Sequence, residues 1–288
     1  MSTKILSLGI LVGLALIAIV GLGGADGVWT EYAFPPIMTA ALVAVLLQWL
    51  GFLVAWVRKT EKFFDLFGSA TFAISIALCA YYARANLGLL DVMLAIAVTI
   101  WAARLGSFLV RRVLDVGSDR RFNAIKQNFL WFLMTWTLQA TWVVVTLGAT
   151  LAVLGDGKAQ PLGFVEICGL LLWSTGFIIE ALSDSQKKKF RESGNETFIR
   201  TGLWSRSRHP NYFGEIVLWT GLTIAALPSL SNWQYVTLSS PVFVWLLLMK
   251  ISGAPMLEAK AERRWGTDPE YIKYRSATPL LVPRLRKL

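Results

Sequence analysis

The chain has 288 residues, of which 55% are hydrophobic and only 16% charged, with thirteen tryptophans and a net charge of +10. Such a balance excludes an ordinary soluble domain, whose surface carries far more charge. A single histidine and two cysteines, Cys79 and Cys168, both in apolar stretches, exclude a disulfide framework and a zinc site of the usual ligand types.

In chain order, eight stretches approach the roughly 20 mostly apolar residues that span a bilayer core. They are Ile5–Gly23, Pro36–Val57, Leu66–Ala83, Asp91–Val110, Asn128–Leu154, Leu162–Leu182, Tyr212–Leu227 and Tyr235–Ile251. The first is too long, and its Gly21-Leu22-Gly23-Gly24 end too glycine-rich, for a cleaved signal peptide. The third and seventh are the weakest, so the expectation is about eight transmembrane segments, or seven if one of these is a half-helix. The fold class is an all-α polytopic membrane helix bundle. No strand pattern, internal repeat or low-complexity tract interrupts it, and the longest polar run is too short for a soluble domain.

Charge tests this count independently. All Lys and Arg residues except Arg84, Arg104 and Lys158 fall near Lys4, in Arg58–Lys62, Arg111–Lys126 and Lys187–Arg208, or in the tail from Lys250. Eight spans place all of these on one side, as the positive-inside rule requires, with both termini cytoplasmic. The excess charge is therefore expected to meet anionic membrane lipids rather than nucleic acid. Lys187-Lys188-Lys189 reads as a lipid-binding patch, and Tyr271, Tyr274 and most tryptophans as interfacial aromatics.

Ionisable side chains inside spans are costly and mark function or internal pairing. Asp65 opens the third span, Arg104 lies within the fourth, and Glu180 and Asp184 sit four apart at the end of the sixth, with Arg191 two turns on. The bland alternatives are a helix cap for Asp65 and a snorkelling Arg104. The longest polar stretch closes with Ser207-Arg208-His209-Pro210-Asn211-Tyr212-Phe213-Gly214-Glu215, which contains the only histidine. Proline favours the first helical turn, so a helix starting at Pro210 puts Asn211 and Glu215 on one face. An amide and a carboxylate so placed match the acceptor and donor of a nicotinamide carboxamide, and nearby arginines suit phosphates. No Gly-x-Gly-x-x-Gly or Walker motif is present, so helix ends and loops would have to hold such a cofactor.

This string, together with Thr201-Gly202-Leu203-Trp204 and the tail around Glu262-Arg263-Arg264-Trp265-Gly266, Tyr271, Tyr274, Pro279 and Pro283, resembles the C-terminal half of the steroid 5-alpha-reductase superfamily. The likeness runs from about Phe63 to Pro283 and is densest over 180–283. It is strongest to a bacterial-type branch sharing the Asp65 and Arg104 segments, and sterol C14- and C7-reductases carry nearly the same string. The resemblance divides the chain into N-terminal helices, 1–60, and a reductase-like membrane domain, 61–288, with its cofactor site facing the cytoplasm. It implies an NADPH-dependent reductase in which Asn211 and Glu215 contact the nicotinamide end. Glu180, Asp184, Arg191, Arg208, His209 and Tyr212 complete the cofactor set, while Asp65 and Arg104 act on the substrate. Where steroid reductases place a carbonyl-contacting tyrosine, this chain has Trp101, which cannot readily supply a proton.

The function expected is reduction of an activated C=C bond in an apolar, enone- or steroid-like substrate entering from the bilayer of a bacterial inner membrane, rather than the endoplasmic reticulum. The alternative is an S-adenosylmethionine-dependent methyltransferase of the isoprenylcysteine carboxyl methyltransferase type, which shares the Arg-His-Pro-x-Tyr string. Glu215 separates the two, because that family usually has an apolar residue there. A third possibility is a non-enzymatic membrane protein on the same fold.

Overall fold

The structure, a computed structural model, describes residues 2–29, 33–116 and 122–284, with 112–116 as backbone alone. Its described residues form helices and no strand. Seven helical runs are long and apolar enough to cross a membrane. Six are α1 (Thr3–Gly24), α2 (Pro36–Val57), α3 (Phe64–Ala83), α4 (Leu89–Val116, apolar over Leu89–Arg111), α6 (Phe129–Gly155) and α7 (Phe164–Glu192). The seventh, Asn232–Trp265, contains α9 (Ser240–Leu246) and α10 (Ala254–Trp265). Shorter helices are α5 (Phe122–Ile125), α8 (Pro210–Ala226) and α11 (Pro269–Ala277). The chain is thus a polytopic helical membrane bundle.

The expected span Tyr212–Leu227 lies almost wholly within α8, which has 17 residues. At 1.5 Å per residue it rises about 25 Å, less than the roughly 30 Å hydrocarbon core. A 3₁₀ turn, Leu227–Ser229, stops it where Pro228 withdraws a backbone donor. The basic run expected between Arg111 and Lys126 falls largely outside the described residues, as do Arg286 and Lys287.

Two compact units divide the chain. The first comprises Met1–Glu166 and Ala226–Ser240. Its central post is α6, against which α1, α2, α3 and Asn232–Ser239 pack, and which is buried without a break from Val143 to Gly155. Asn128 caps it, accepting from the Trp131 N–H at 3.0 Å. Lipid tails are as apolar as leucine, so burial of leucines against each other gains little within a bilayer; close packing and interhelical hydrogen bonds hold such helices together. Gln48 Nε2 donates to Thr71 Oγ1 at 2.8 Å, joining α2 to α3. Trp49 Nε1 donates to Thr137 Oγ1 at 3.1 Å, joining α2 to α6. Below them Phe52, Phe132 and Trp136 form an aromatic core with Phe64 and Phe67.

The second unit comprises Ile167–Ala225 and Pro241–Leu288. Here α7 and α8 run antiparallel with their backbones in contact. A β-carbon added at Gly176 would lie 2.4 Å from the Leu218 nitrogen, and one at Gly214 would lie 2.6 Å from the Glu180 nitrogen. Gly169 and Gly221 repeat the arrangement two turns away. The helix of the span expected to end at Leu182 instead runs on ten residues to Glu192, taking in the start of the basic run Lys187–Arg208. Lysine and glutamine are good helix formers, and Lys188 pairs with Glu192 at 3.6 Å. The extension ends at Gly194, whose φ of +75° suits a helix-terminating glycine.

Candidate functional site

The extension of α7 places Asp184, Lys187 and Arg191 on one helical face, since residues three, four and seven apart align. The chain then returns through Glu196–Ile199 and a 3₁₀ turn, Gly202–Ser205, to α8. Two acceptors on α7 fix this return: the Gln186 side-chain Oε1 accepts from the Leu203 N–H at 2.9 Å, and the Ser183 backbone carbonyl accepts from Trp204 Nε1 at 3.0 Å. The tail crosses the same segment. Arg208 N–H donates to the Pro279 carbonyl at 2.9 Å, Arg284 N–H to the Arg206 carbonyl at 3.0 Å, and Ser207 Oγ to the Leu281 carbonyl at 2.7 Å.

His209 immediately precedes α8, and its carbonyl accepts the first helical bond from Phe213. The ring is 4% exposed and stacks on Tyr212, with centroids 5.3 Å apart and planes 8° from parallel. Its Nε2 lies 2.8 Å from Glu258 Oε1, while Arg208 Nη1 bonds the other oxygen of the same carboxylate. Burial pulls the His209 pKa below its ordinary value, outweighing the opposing pull of Glu258. Three buried polar atoms here have no partner among the described residues: Arg208 Nε, His209 Nδ1 and Asn211 Oδ1.

Beside this cluster opens a cavity of about 250 Å³. Five basic side chains line it (Lys187, Arg191, Arg208, Lys260 and Arg264) against two carboxylates, Glu196 and Glu258. Much of the remaining wall is aromatic. Phe198 packs on Tyr271 and Tyr274 at 5.2 and 5.4 Å and on Trp265 at 5.8 Å. Tyr271 and Tyr274 are members of this wall: Tyr271 is buried, and Tyr274 donates its hydroxyl to the Trp204 carbonyl at 2.7 Å. Burial raises the pKa of both phenols, the Glu258 carboxylate adding to it, so both stay protonated as donors.

The expected site residues divide among three places. Arg191, Arg208 and His209 line the cavity. Glu180 and Asp184, both buried, lie on α7, and Asn211, Tyr212 and Glu215 in the first turns of α8, with Gly214 packed directly on Glu180. Asp65 and Arg104 belong to the first unit, half-buried on α3 and α4, whose Ser69 and Gly106 touch. Asp65 lies in the first turn of α3 and Phe63 holds the cap position, so Asp65 is not that helix's cap.

Residues 51–278 match a family described as a protein of unknown function, DUF1295. The chain belongs to the DUF1295 family. The match takes in α3 through α11, and with them the cavity and the Glu258 cluster. No curated protein and no solved structure matches the chain. Sequence reasoning missed Glu258, and it also passed over Glu196, Phe198 and Lys260 of the cavity lining. The only signal for Glu258 is an acid one helical turn before Glu262 on a basic, amphipathic segment, a pattern that reads equally well as a solvated face.

Proposed function

We propose that the chain is a membrane oxidoreductase that reduces an activated C=C bond of a lipid-soluble, enone- or steroid-like substrate with NADPH. The cavity of the second unit carries this reading: an excess of basic side chains around an aromatic wall suits the phosphates and base of a nucleotide. Its volume is below the 300–1,000 Å³ typical of whole-ligand sites, which fits one end of a dinucleotide. Arg208 lines this cavity, and its unpartnered Nε is a group whose partner would arrive with such a ligand; Asn211 Oδ1, outside the lining, is a second unpartnered atom close by in sequence. Bound NADPH would supply the hydride.

The chain's own residues do the rest. Arg191 and Arg208 offer guanidinium forks to phosphate oxygens, and the α8 N-terminus adds its positive dipole end. Asn211 and Glu215 orient the carboxamide, Glu180 and Asp184 support them from α7, and the stacked His209 and Tyr212 fix the approach to α8. Asp65, if protonated, donates toward the substrate oxygen where negative charge develops, and Arg104 adds a positive field. The apolar helices exclude water and admit substrate from the bilayer. The motif resemblance to the steroid 5-alpha-reductase superfamily supports the reductase chemistry, and Glu215 after Gly214 favours it over S-adenosylmethionine-dependent methyl transfer. The concentration of basic runs on one side supports a cytoplasmic cavity; the bacterial inner membrane rests on the resemblance to the bacterial-type branch.

Thermal-shift titration of the purified protein with NADPH, NADH and S-adenosylmethionine tests this directly. A ligand at 100 times its Kd stabilises the fold by about 2.7 kcal/mol. Stabilisation by NADPH is expected. Stabilisation by S-adenosylmethionine alone would transfer the site to methyl transfer, and no shift with any of the three would remove the cofactor assignment. Arg191→Ala should weaken NADPH binding by roughly 10- to 100-fold, the range of one charge-assisted contact.

A further inference from the structure

The Glu258 carboxylate joins two neighbouring side chains through different oxygens, Arg208 through Oε2 and His209 through Oε1. An ionised carboxylate only accepts hydrogen bonds. With Arg208 holding its second oxygen, Glu258 stays ionised, so the 2.8 Å contact requires the proton on His209 Nε2. A second proton on Nδ1 would put a charged ring, almost wholly buried, beside Arg208 and Lys187, with a buried donor lacking any partner among the described residues. The neutral ring avoids both costs and leaves Nδ1 as a lone pair. Stacking on Tyr212 restrains the ring from turning. His209 stands in the cavity wall with Nδ1 itself covered, so a ligand reaches this acceptor by displacing the atoms that cover it.

We propose that Glu258 is a positioning residue that locks His209 in its Nε2–H tautomer, presenting Nδ1 as a hydrogen-bond acceptor to an N–H or O–H group of the cavity's ligand. The identity of that ligand as a nucleotide, whose ribose hydroxyls and amide groups are donors of this kind, rests on the proposed function; the tautomer lock does not. Glu258 acts through His209 and itself touches no reacting atom.

Because His209 is the only histidine, nitrogen-15 labelling of histidine makes one ring visible in the whole chain. Magnetic resonance of the full-length protein in lipid nanodiscs then reads its tautomer without assignment. At neutral pH the expected spectrum shows Nε2 protonated and Nδ1 bare, and added NADPH shifts the Nδ1 resonance. Glu258→Ala, verified as folded by circular dichroism, should populate both tautomers; if it does not fold, Glu258→Gln keeps the side-chain shape and should likewise loosen the preference. An Nδ1–H tautomer or a doubly protonated ring in the unmutated protein overturns the proposal, as does an unchanged tautomer in a folded Glu258 variant. NADPH that raises the melting temperature while leaving Nδ1 unmoved overturns the ligand contact alone. NADPH that does not bind, with the tautomer as expected, leaves the lock supported and removes the nucleotide reading.

Discussion

Glu258 is the residue on which the site's charges converge, because one carboxylate satisfies both Arg208 and His209. Truncating it leaves a half-buried guanidinium and a buried imidazole without their acceptor. Glu258→Ala is expected to cost about 1–3 kcal/mol of stability, the range for losing hydrogen bonds to a charged group, and chemical unfolding of the folded fraction would measure it. The pH dependence follows from His209. Its pKa is lowered by burial, so between that value and the ordinary value of about 6.5 the unfolded chain binds a proton that the folded chain refuses. Stability is therefore full above about pH 6.5 and falls as pH drops below it. His209→Gln should flatten this part of the melting-temperature profile, and an equal slope in the variant would assign the acid loss to other groups.

At the scale of elements, the antiparallel contact of α7 and α8 depends on glycines because the opposing atoms are backbone, which cannot rotate away. Gly176→Ala and Gly214→Ala are each expected to lower stability by about 1–3 kcal/mol and, under the proposed cofactor assignment, to weaken NADPH binding by displacing Glu180 and Asn211. Gly21→Ala provides the contrast. Its added carbon would meet nothing nearer than Ala41 at 3.7 Å, so the melting temperature should hold or rise slightly with the better helix propensity of alanine. The helix start at Pro210 and the apolar cores of seven spans were legible from the proline and from composition, because those signals are local. The ten-residue extension of α7 was not. Its lysines read as a lipid patch and a loop, since hydropathy reports where a helix leaves the membrane and not where it stops.

For the whole molecule, orientation depends on whether α8 crosses. If it does, eight crossings return both termini to the basic cytoplasmic side; seven crossings would leave them on opposite sides, but would also part His209, before α8, from Glu258, after α9, which the structure joins. The clustered Lys and Arg residues favour the first outcome, and reporters fused at each end should both be active in the cytoplasm. A reporter silent at one end only would make α8 a half-helix. The amino-acid sequence by itself determined that this is a helical membrane protein, where its apolar segments lie, and that its polar chemistry gathers around Ser207–Glu215. Each of these follows from residue type and spacing along one segment. Only the tertiary structure brought Glu258, 49 residues downstream, to His209 and Tyr274, 70 residues downstream, to Trp204, and built the cavity between them with Tyr271. Pairings at that separation are decided by which helices and tail segments fold back on one another, and no local pattern of charge or hydropathy encodes that choice.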